Sequence, residues 1–380
     1  MKKFFFFICC AALIAARAAM PGDTPGETRH KLQWLDCSPM PLGKLPSGKD
    51  SNIPDLRAVV FMLTRARNTP QTVAMLENLR RHYQGKLMIA VITPDYASEA
   101  EELLAKHKDA RLRFAVDIER RLTPEIMRDS AMLFPMAFLL DRNGMIIWRG
   151  EAVDLPEAVE KQLAGKLQLD TQKKTAILIN KMHQYMRSGN MPDIIDSARK
   201  ILDTDPGNPA ALRMAVFAAE SAGTPQKAWD IITAEIKKSP DLPRLYFTAL
   251  DLAVRHREYQ KELPGLIKNF SEKEFLPPVR FAFAGALLES FTYNADAVIG
   301  AKNIIAGTPM PLNAGAAQMG QQLSVRARLH YALCDLNAAE ADMNEAVECF
   351  KKTTDRASLA AAEKQLAYFR KLISHLDGEK

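Results

Sequence analysis

Cysteine is scarce in this chain, five in 380 residues, and no two stand in a C-x-x-C spacing. The absence of that spacing excludes a C-x-x-C dithiol centre and a paired-cysteine zinc site. Neither H-E-x-x-H nor a phosphate-binding glycine loop occurs, which removes two common catalytic signatures. The histidines are scattered; His82 and His107 read as surface residues on helices, and Glu101-Glu102 as a solvated helix face. No basic block of five or six residues appears, so nucleic acid is not an expected partner. Beyond the N-terminus no apolar run approaches the about 20 residues of a bilayer span, so no stable membrane insertion is expected. Metal, cofactor and catalytic residues are likewise not expected.

What is present is an ordinary globular composition, 47% apolar and 25% charged. The N-terminus reads as a secretory signal over 1–18. Lys2 and Lys3 precede 13 uncharged residues, Phe4 to Ala16, and Ala16-Arg17-Ala18 offers a cleavage site. The expected destination is export, most simply the periplasm. Cleavage takes Lys2, Lys3 and Arg17 from the 51 basic residues and none of the 45 acidic ones, so half of the +6 net charge leaves with the segment. Residues 19–30 read as a flexible leader. Cys37, Cys334 and Cys349 remain after cleavage. Cys334–Cys349 is the one local disulfide candidate; the other reading is three separate thiols, mostly buried.

From 31 to 168 strand and helix patterns alternate. Lys31 to Leu35 is a short strand, and Ala58 to Leu63 an apolar run expected of a strand buried on both faces. Thr69 is the expected N-cap of a helix over 70–84, with Pro70 at its first position. That helix places Val73, Leu76, Leu79 and His82 on related turns. A strand over 87–92, a charged helix over 97–107, a strand over 113–116 and a helix near 122–130 follow. Asn143-Gly144 between the apolar runs 133–141 and 145–148 predicts a hairpin, and 155–167 a closing helix. The pattern predicts a mixed sheet with helices on both faces.

Taken in order, these pieces resemble the thioredoxin fold, in particular the exported TlpA-like thiol-disulfide oxidoreductases and their redoxin relatives. The resemblance rests on Trp34-Leu35, on Val59 to Pro70, on Phe134-Pro135 before an apolar strand, on Asp141-Arg142-Asn143-Gly144 and on the closing helix. It implies a C-x-x-C loop at the helix start, where the helix end lowers a thiol pKa. Here that loop is Arg65-Ala66-Arg67-Asn68-Thr69, with Ala66 at the attacking position and Thr69 at the resolving one. Neither exchanges disulfides, so the site is degenerate. Arg65 and Arg67 beside a helix start are either solvated or an anion site. The resemblance also implies a cis bond before Pro135 and a peptide groove at Phe134, Pro135 and Met136; the other reading keeps Pro135 for folding alone.

After Lys166 helical periodicity takes over, and the domain is read as 169–380. Gly189 recurs at Gly223 and Pro206 at Pro240, a period of 34. With Ala228 as the small residue between paired helices, this resembles the tetratricopeptide repeat. Units 174–207 and 208–241 match well; 242–275 has Arg257 and Glu274 at the Gly and Pro positions. Further pairs are expected at 277–292 with 295–306 and at 318–336 with 338–353, a break at 309–315, and a terminal helix over 357–376 with a charged outer face. Leu212, Trp229 and Ile232 read as inter-repeat core. The expected protein is a non-catalytic scaffold for a protein or peptide partner. The alternative is a thiol-disulfide factor using Cys37 or the Cys334/Cys349 pair.

Overall fold

The computed structural model describes residues 32–35, 53–107, 112–120, 122–123, 134–309, 315–353 and 355–378, with residues 21, 40, 42, 44 and 45. The signal at 1–18, Cys37, nearly all of the leader and the middle of the break at 309–315 lie outside the described residues. Two compact units form, Met1–Met214 and Ala215–Lys380.

The first unit is a thioredoxin-like α/β fold. Its strands are β1 (Leu32–Leu35), β2 (Leu56–Phe61), β3 (Leu87–Thr93), β4 (Arg113–Asp117), β5 (Met136–Leu140) and β6 (Ile146–Glu151). They lie in the order β1-β4-β3-β2-β5-β6. β2 pairs in parallel with β3, and β3 with β4, while the remaining pairs are antiparallel. The parallel pairs require crossovers, supplied by α1 (Thr69–His82) and α2 (Ala97–Lys106). Both pack on one face together with α3 (Leu155–Leu163), through Val73, Leu76, Leu103 and Val159. The second face is covered by Met40, Leu42 and Leu122. The helix expected near 122–130 lies outside the described residues beyond Leu122 and Thr123.

β2 is buried at all six positions, as a strand with a layer on each face must be. It begins at Leu56 rather than at Ala58, because Arg57 is accommodated inside it. That guanidinium is fully buried and donates to the Asp141 carbonyl at 2.5 Å. Burial lowers its pKa, against the pull of Asp141 and Asp55. The predicted hairpin is present. Asp141 Oδ1 accepts from the backbone of Asn143 and Met145, both at 2.9 Å, and Gly144 takes φ 76°.

The helical pattern begins at 169, yet the first compact unit runs on to 214. α4 (Leu169–Ser188) packs along the edge strand β6, and Arg149 of β6 donates to Asn180. α5 (Met191–Thr204) pairs with α4, and α6 (Pro209–Ser221) crosses the border between the units. Leu212 is buried, as expected of core. α4 ends at Gly189 in a left-handed turn, φ 70°, with Asn190 N–H donating to Tyr185 and Gly189 N–H to Met186. Thirty-four residues on, Gly223 repeats that geometry at φ 67°, with Thr224 bonded to Ala219 and Gly223 to Glu220. This is the Schellman stop, which favours glycine.

The second unit contains α7 (Pro225–Lys238), α8 (Pro243–Arg255), α9 (Leu263–Ser271), α10 (Pro277–Ser290), α11 (Ala295–Ala306), α12 (Ala316–Ala332), α13 (Leu336–Lys351) and α14 (Arg356–Gly378). Trp229 and Ile232 are buried, and Trp229 stacks on Tyr259 with centroids 4.6 Å apart. Where Arg257 replaces the repeat's glycine, the connection is a 3-10 turn, Arg257–Glu262, instead of a left-handed stop. A side chain with a Cβ resists the positive φ that such a stop requires. The outer face of α14 is not purely charged as expected: Tyr368 and Leu376 are 48% and 54% exposed.

His183 on α4 is buried, with Nδ1 lacking a hydrogen-bond partner. Burial, then the charges of Arg149 and Arg187, lower its pKa to about 4. Its ordinary value is about 6.5, so between these limits the unfolded chain binds a proton that the folded one refuses. The first unit should therefore lose about 2 kcal/mol of stability from this group between about pH 7 and about pH 5. Urea unfolding of the parent and of His183→Gln at both pH values checks this; the variant should show the smaller pH dependence.

Candidate functional site

β2 ends at Phe61, and its ladder to β3 extends one residue further, through Met62 N–H to the Ile92 carbonyl at 3.1 Å. The chain then turns through 64–68 into α1. Two side chains fix that turn. Asp95, in the loop after β3, accepts from Thr64 N–H at 2.6 Å and from the Thr64 hydroxyl at 2.8 Å. Thr69 Oγ1 donates to the Leu63 carbonyl at 2.7 Å.

That second bond corrects the expected capping role. Asn68, not Thr69, is the N-cap residue, and its side chain makes no cap bond. Thr69 is the first helical residue, buried, and its hydroxyl ties the helix back to the strand end. Of the remaining loop residues, Ala66 is half-buried and its carbonyl accepts Thr69 N–H at 3.0 Å. Arg65 is exposed and pairs with Glu99 at 3.3 Å, while Arg67 is exposed. His82 is exposed and His107 half-buried; Glu101 and Glu102 are exposed, and Glu102 pairs with Lys106 at 2.7 Å.

The bond before Pro135 is cis, as the resemblance implies. Against it opens a cleft of about 410 Å³. Asn68 at the N-cap and Gln71, Thr72 and Met75 of α1 contribute to its lining. Phe134, Pro135 and the end of β6 with the following turn, Glu151 to Val153, complete the lining. Of the three residues expected at a groove, Phe134 and Pro135 line this cleft and Met136 does not. Met136 pairs with Phe61 in the sheet and its side chain is buried in the core of the second face. Strand alternation sends it there. The sequence reading missed Glu151, Ala152 and Val153, although the register of the Asn143-Gly144 hairpin, which pairs Glu151 with Met136 beside Pro135, could have supplied them. Met75 is a helical turn beyond Thr72 on the same face as the cleft, which helical spacing alone could have supplied.

The Thr72 hydroxyl is engaged, donating to the Asn68 carbonyl at 2.9 Å. Glu151 lies 3.0 Å from Arg213 of α6, which also holds Asp154 through two bonds of 2.9 and 2.8 Å. Burial works against the Arg213 charge, but these acids outweigh it and raise its pKa. Among the described residues no group of three or more His, Cys, Asp or Glu could hold a metal ion.

The Cys334–Cys349 bridge is not formed; both thiols are free. Cys334 precedes α13 and Cys349 lies near its other end. Thirteen residues of helix separate Leu336 from Cys349, about 20 Å at 1.5 Å per residue, against the about 7 Å that a disulfide tolerates between Cα atoms. Cys334 is exposed with φ 61°, and Asp335 N–H donates to His330 while Cys334 N–H donates to Tyr331. This is the stop found at Gly189 and Gly223 with a cysteine in the glycine place. Cys334→Gly should therefore raise the stability of the second unit by about 0.5–1 kcal/mol, read as an upward shift in its urea midpoint. Cys334→Ala retains a Cβ and should show no such gain.

No family model matches the chain, and no curated protein is similar to it. Solved structures resemble part of it. A thiol-disulfide oxidoreductase from Bacteroides fragilis NCTC 9343 is 21% identical, over 30% of this chain and 86% of its own, with a TM-score of 0.24. A thioredoxin-like protein from Porphyromonas gingivalis is 14% identical, over 40% and 94%, with a TM-score of 0.28. Mycobacterium tuberculosis AhpC is 13% identical, over 41% and 99%, with a TM-score of 0.29. At such scores they carry no argument about activity, and the fold is read from the strand order and the crossovers.

Proposed function

We propose that this chain is an exported, non-catalytic binding protein that receives an extended peptide segment in the cleft beside Pro135. One observation carries the reading. The cleft opens between the start of α1 and the cis Phe134-Pro135 bond, and the two positions that would bear thiols there are Ala66 and Thr69. A methyl group and a hydroxyl bound to a carbonyl offer no electrons to a disulfide. A lining that joins Met75, Phe134, Pro135 and Val153 to a few polar groups suits binding. The helical region we read as a tetratricopeptide-like array, a common holder of protein segments, on the strength of the repeated stop at Gly189 and Gly223. Export follows from the basic and apolar N-terminus, and no described helix is long and apolar enough to cross a membrane.

The alternative use of Cys334 with Cys349 as a dithiol is contradicted by their placement at opposite ends of α13. A second consequence concerns the loop. The double variant Ala66→Cys, Thr69→Cys restores a C-x-x-C pair at a helix start, where the dipole favours a thiolate. It should reduce insulin disulfides with dithiothreitol as electron source, at a rate well above that of the parent chain. No gain over the parent would show that the frame lacks the oxidoreductase geometry.

Peptide binding is tested by fluorescence polarisation with labelled, unstructured peptides that carry a leucine in an alanine-rich host. The parent should bind in the micromolar range. Gln71→Trp, at an exposed position on the cleft wall, should weaken binding about tenfold by filling the mouth. Equal binding by both chains would remove the cleft from the account.

A further inference from the structure

The cleft has an uneven charge. Among the described residues its lining includes one carboxylate, Glu151, and no Lys or Arg. Arg65 is held by Glu99 and is not part of the lining, nor is Arg67. The cation nearest to Glu151 in the described contacts is Arg213, which contacts the wall from α6. Arg213 is already engaged by Asp154: Nη1 and Nη2 bond its two carboxylate oxygens at 2.9 and 2.8 Å, the parallel arrangement that matches guanidinium to carboxylate. Glu151 approaches Nη2 at 3.0 Å.

Two acids thus share one guanidinium, and the set carries one negative charge in excess. The excess belongs on Glu151. The Asp154 side chain is 11% exposed and doubly bonded, whereas that of Glu151 is 35% exposed and borders the cleft. A carboxylate in that position retains acceptor capacity for a second donor. Beside it stand Met75, Phe134 and Val153, and Val153 is 63% exposed. An apolar surface next to a partly neutralised acid is matched by an apolar side chain followed by a basic one.

We propose that the cleft selects peptide segments in which a lysine or arginine adjoins an apolar residue, with Glu151 as the specificity-determining group. The inference rests on the peptide reading above and adds a charge requirement to it. An attraction between partly exposed charges contributes up to about 1 kcal/mol, so the expected preference is about threefold to fivefold.

The test uses the whole chain and three labelled host peptides that differ at one position after the leucine: Leu-Lys, Leu-Gln and Leu-Glu. Leu-Lys should bind about threefold to fivefold more tightly than Leu-Gln, and Leu-Glu more weakly than either. Glu151→Gln keeps an oxygen for Arg213 and should make Leu-Lys and Leu-Gln equal. Raising salt from about 0.05 M to about 0.5 M on the parent should do the same without any substitution, because screening shortens to a few ångströms. A preference for Leu-Lys that survives both Glu151→Gln and high salt would overturn the assignment. Equal binding of the three peptides, still weakened by Gln71→Trp, would overturn the charge requirement and leave the peptide reading standing. Binding of none would overturn both.

Discussion

Everything in the first unit hangs on strand β2 having a neighbour on each side and a packed layer on each face. Its backbone is hydrogen-bonded to β3 and β5, and its side chains alternate between the two cores. A strand so enclosed cannot shift without breaking both ladders. The point where it ends is therefore fixed, and the turn that follows is placed by inheritance rather than by its own residues. Asp95 bonded to Thr64 and Thr69 bonded to Leu63 hold that turn to β3 and β2. The cleft owes its shape to the same strand, since β5 lies against β2 and brings Phe134 and Pro135 to face α1.

Much of this was legible in the residues. Continuous apolar runs marked the central strands, and Asn143-Gly144 marked the hairpin. The 34-residue spacing of Gly189 and Gly223 marked two helix stops of one geometry. The misses have physical causes. Thr69 looks like a cap because its type suits one, but the strand-end carbonyl at Leu63 competes for its hydroxyl and wins. Met136 adjoins Pro135 in sequence yet belongs to the opposite environment, because alternation reverses direction at every residue of a strand. Cys334 and Cys349 are close in number only; a helix laid between two residues is a spacer, not a bridge. The contact from Arg213 to Asp154 spans 59 residues, and no local pattern encodes such a meeting.

The helical part follows a different logic. Local stops and pairwise packing set it, and departures from the repeat are absorbed locally. Arg257 in a glycine place turns the connection into a 3-10 segment, and Gly300 lets Ile267 approach to where a Cβ would stand 2.6 Å away. Cys334 shows the opposite solution, in which a side chain accepts the left-handed conformation and the stop is kept.

Arg57 gives the sheet something that its stability alone does not. A full positive charge sits at the second residue of the central strand, on the second face, held by the Asp141 carbonyl at the hairpin. An alanine-like residue there would leave β2 a uniform apolar ribbon, its register held by the two ladders and the flanking turns alone. With the guanidinium present, a slip of one residue drives the charge into the core beneath α1, and a slip of two carries it away from its acceptor. The residue thus works as a key cut for one lock. It makes wrong alignments of the strand far more costly than the right one, and gives the fold a single answer where a greasier sequence would allow several.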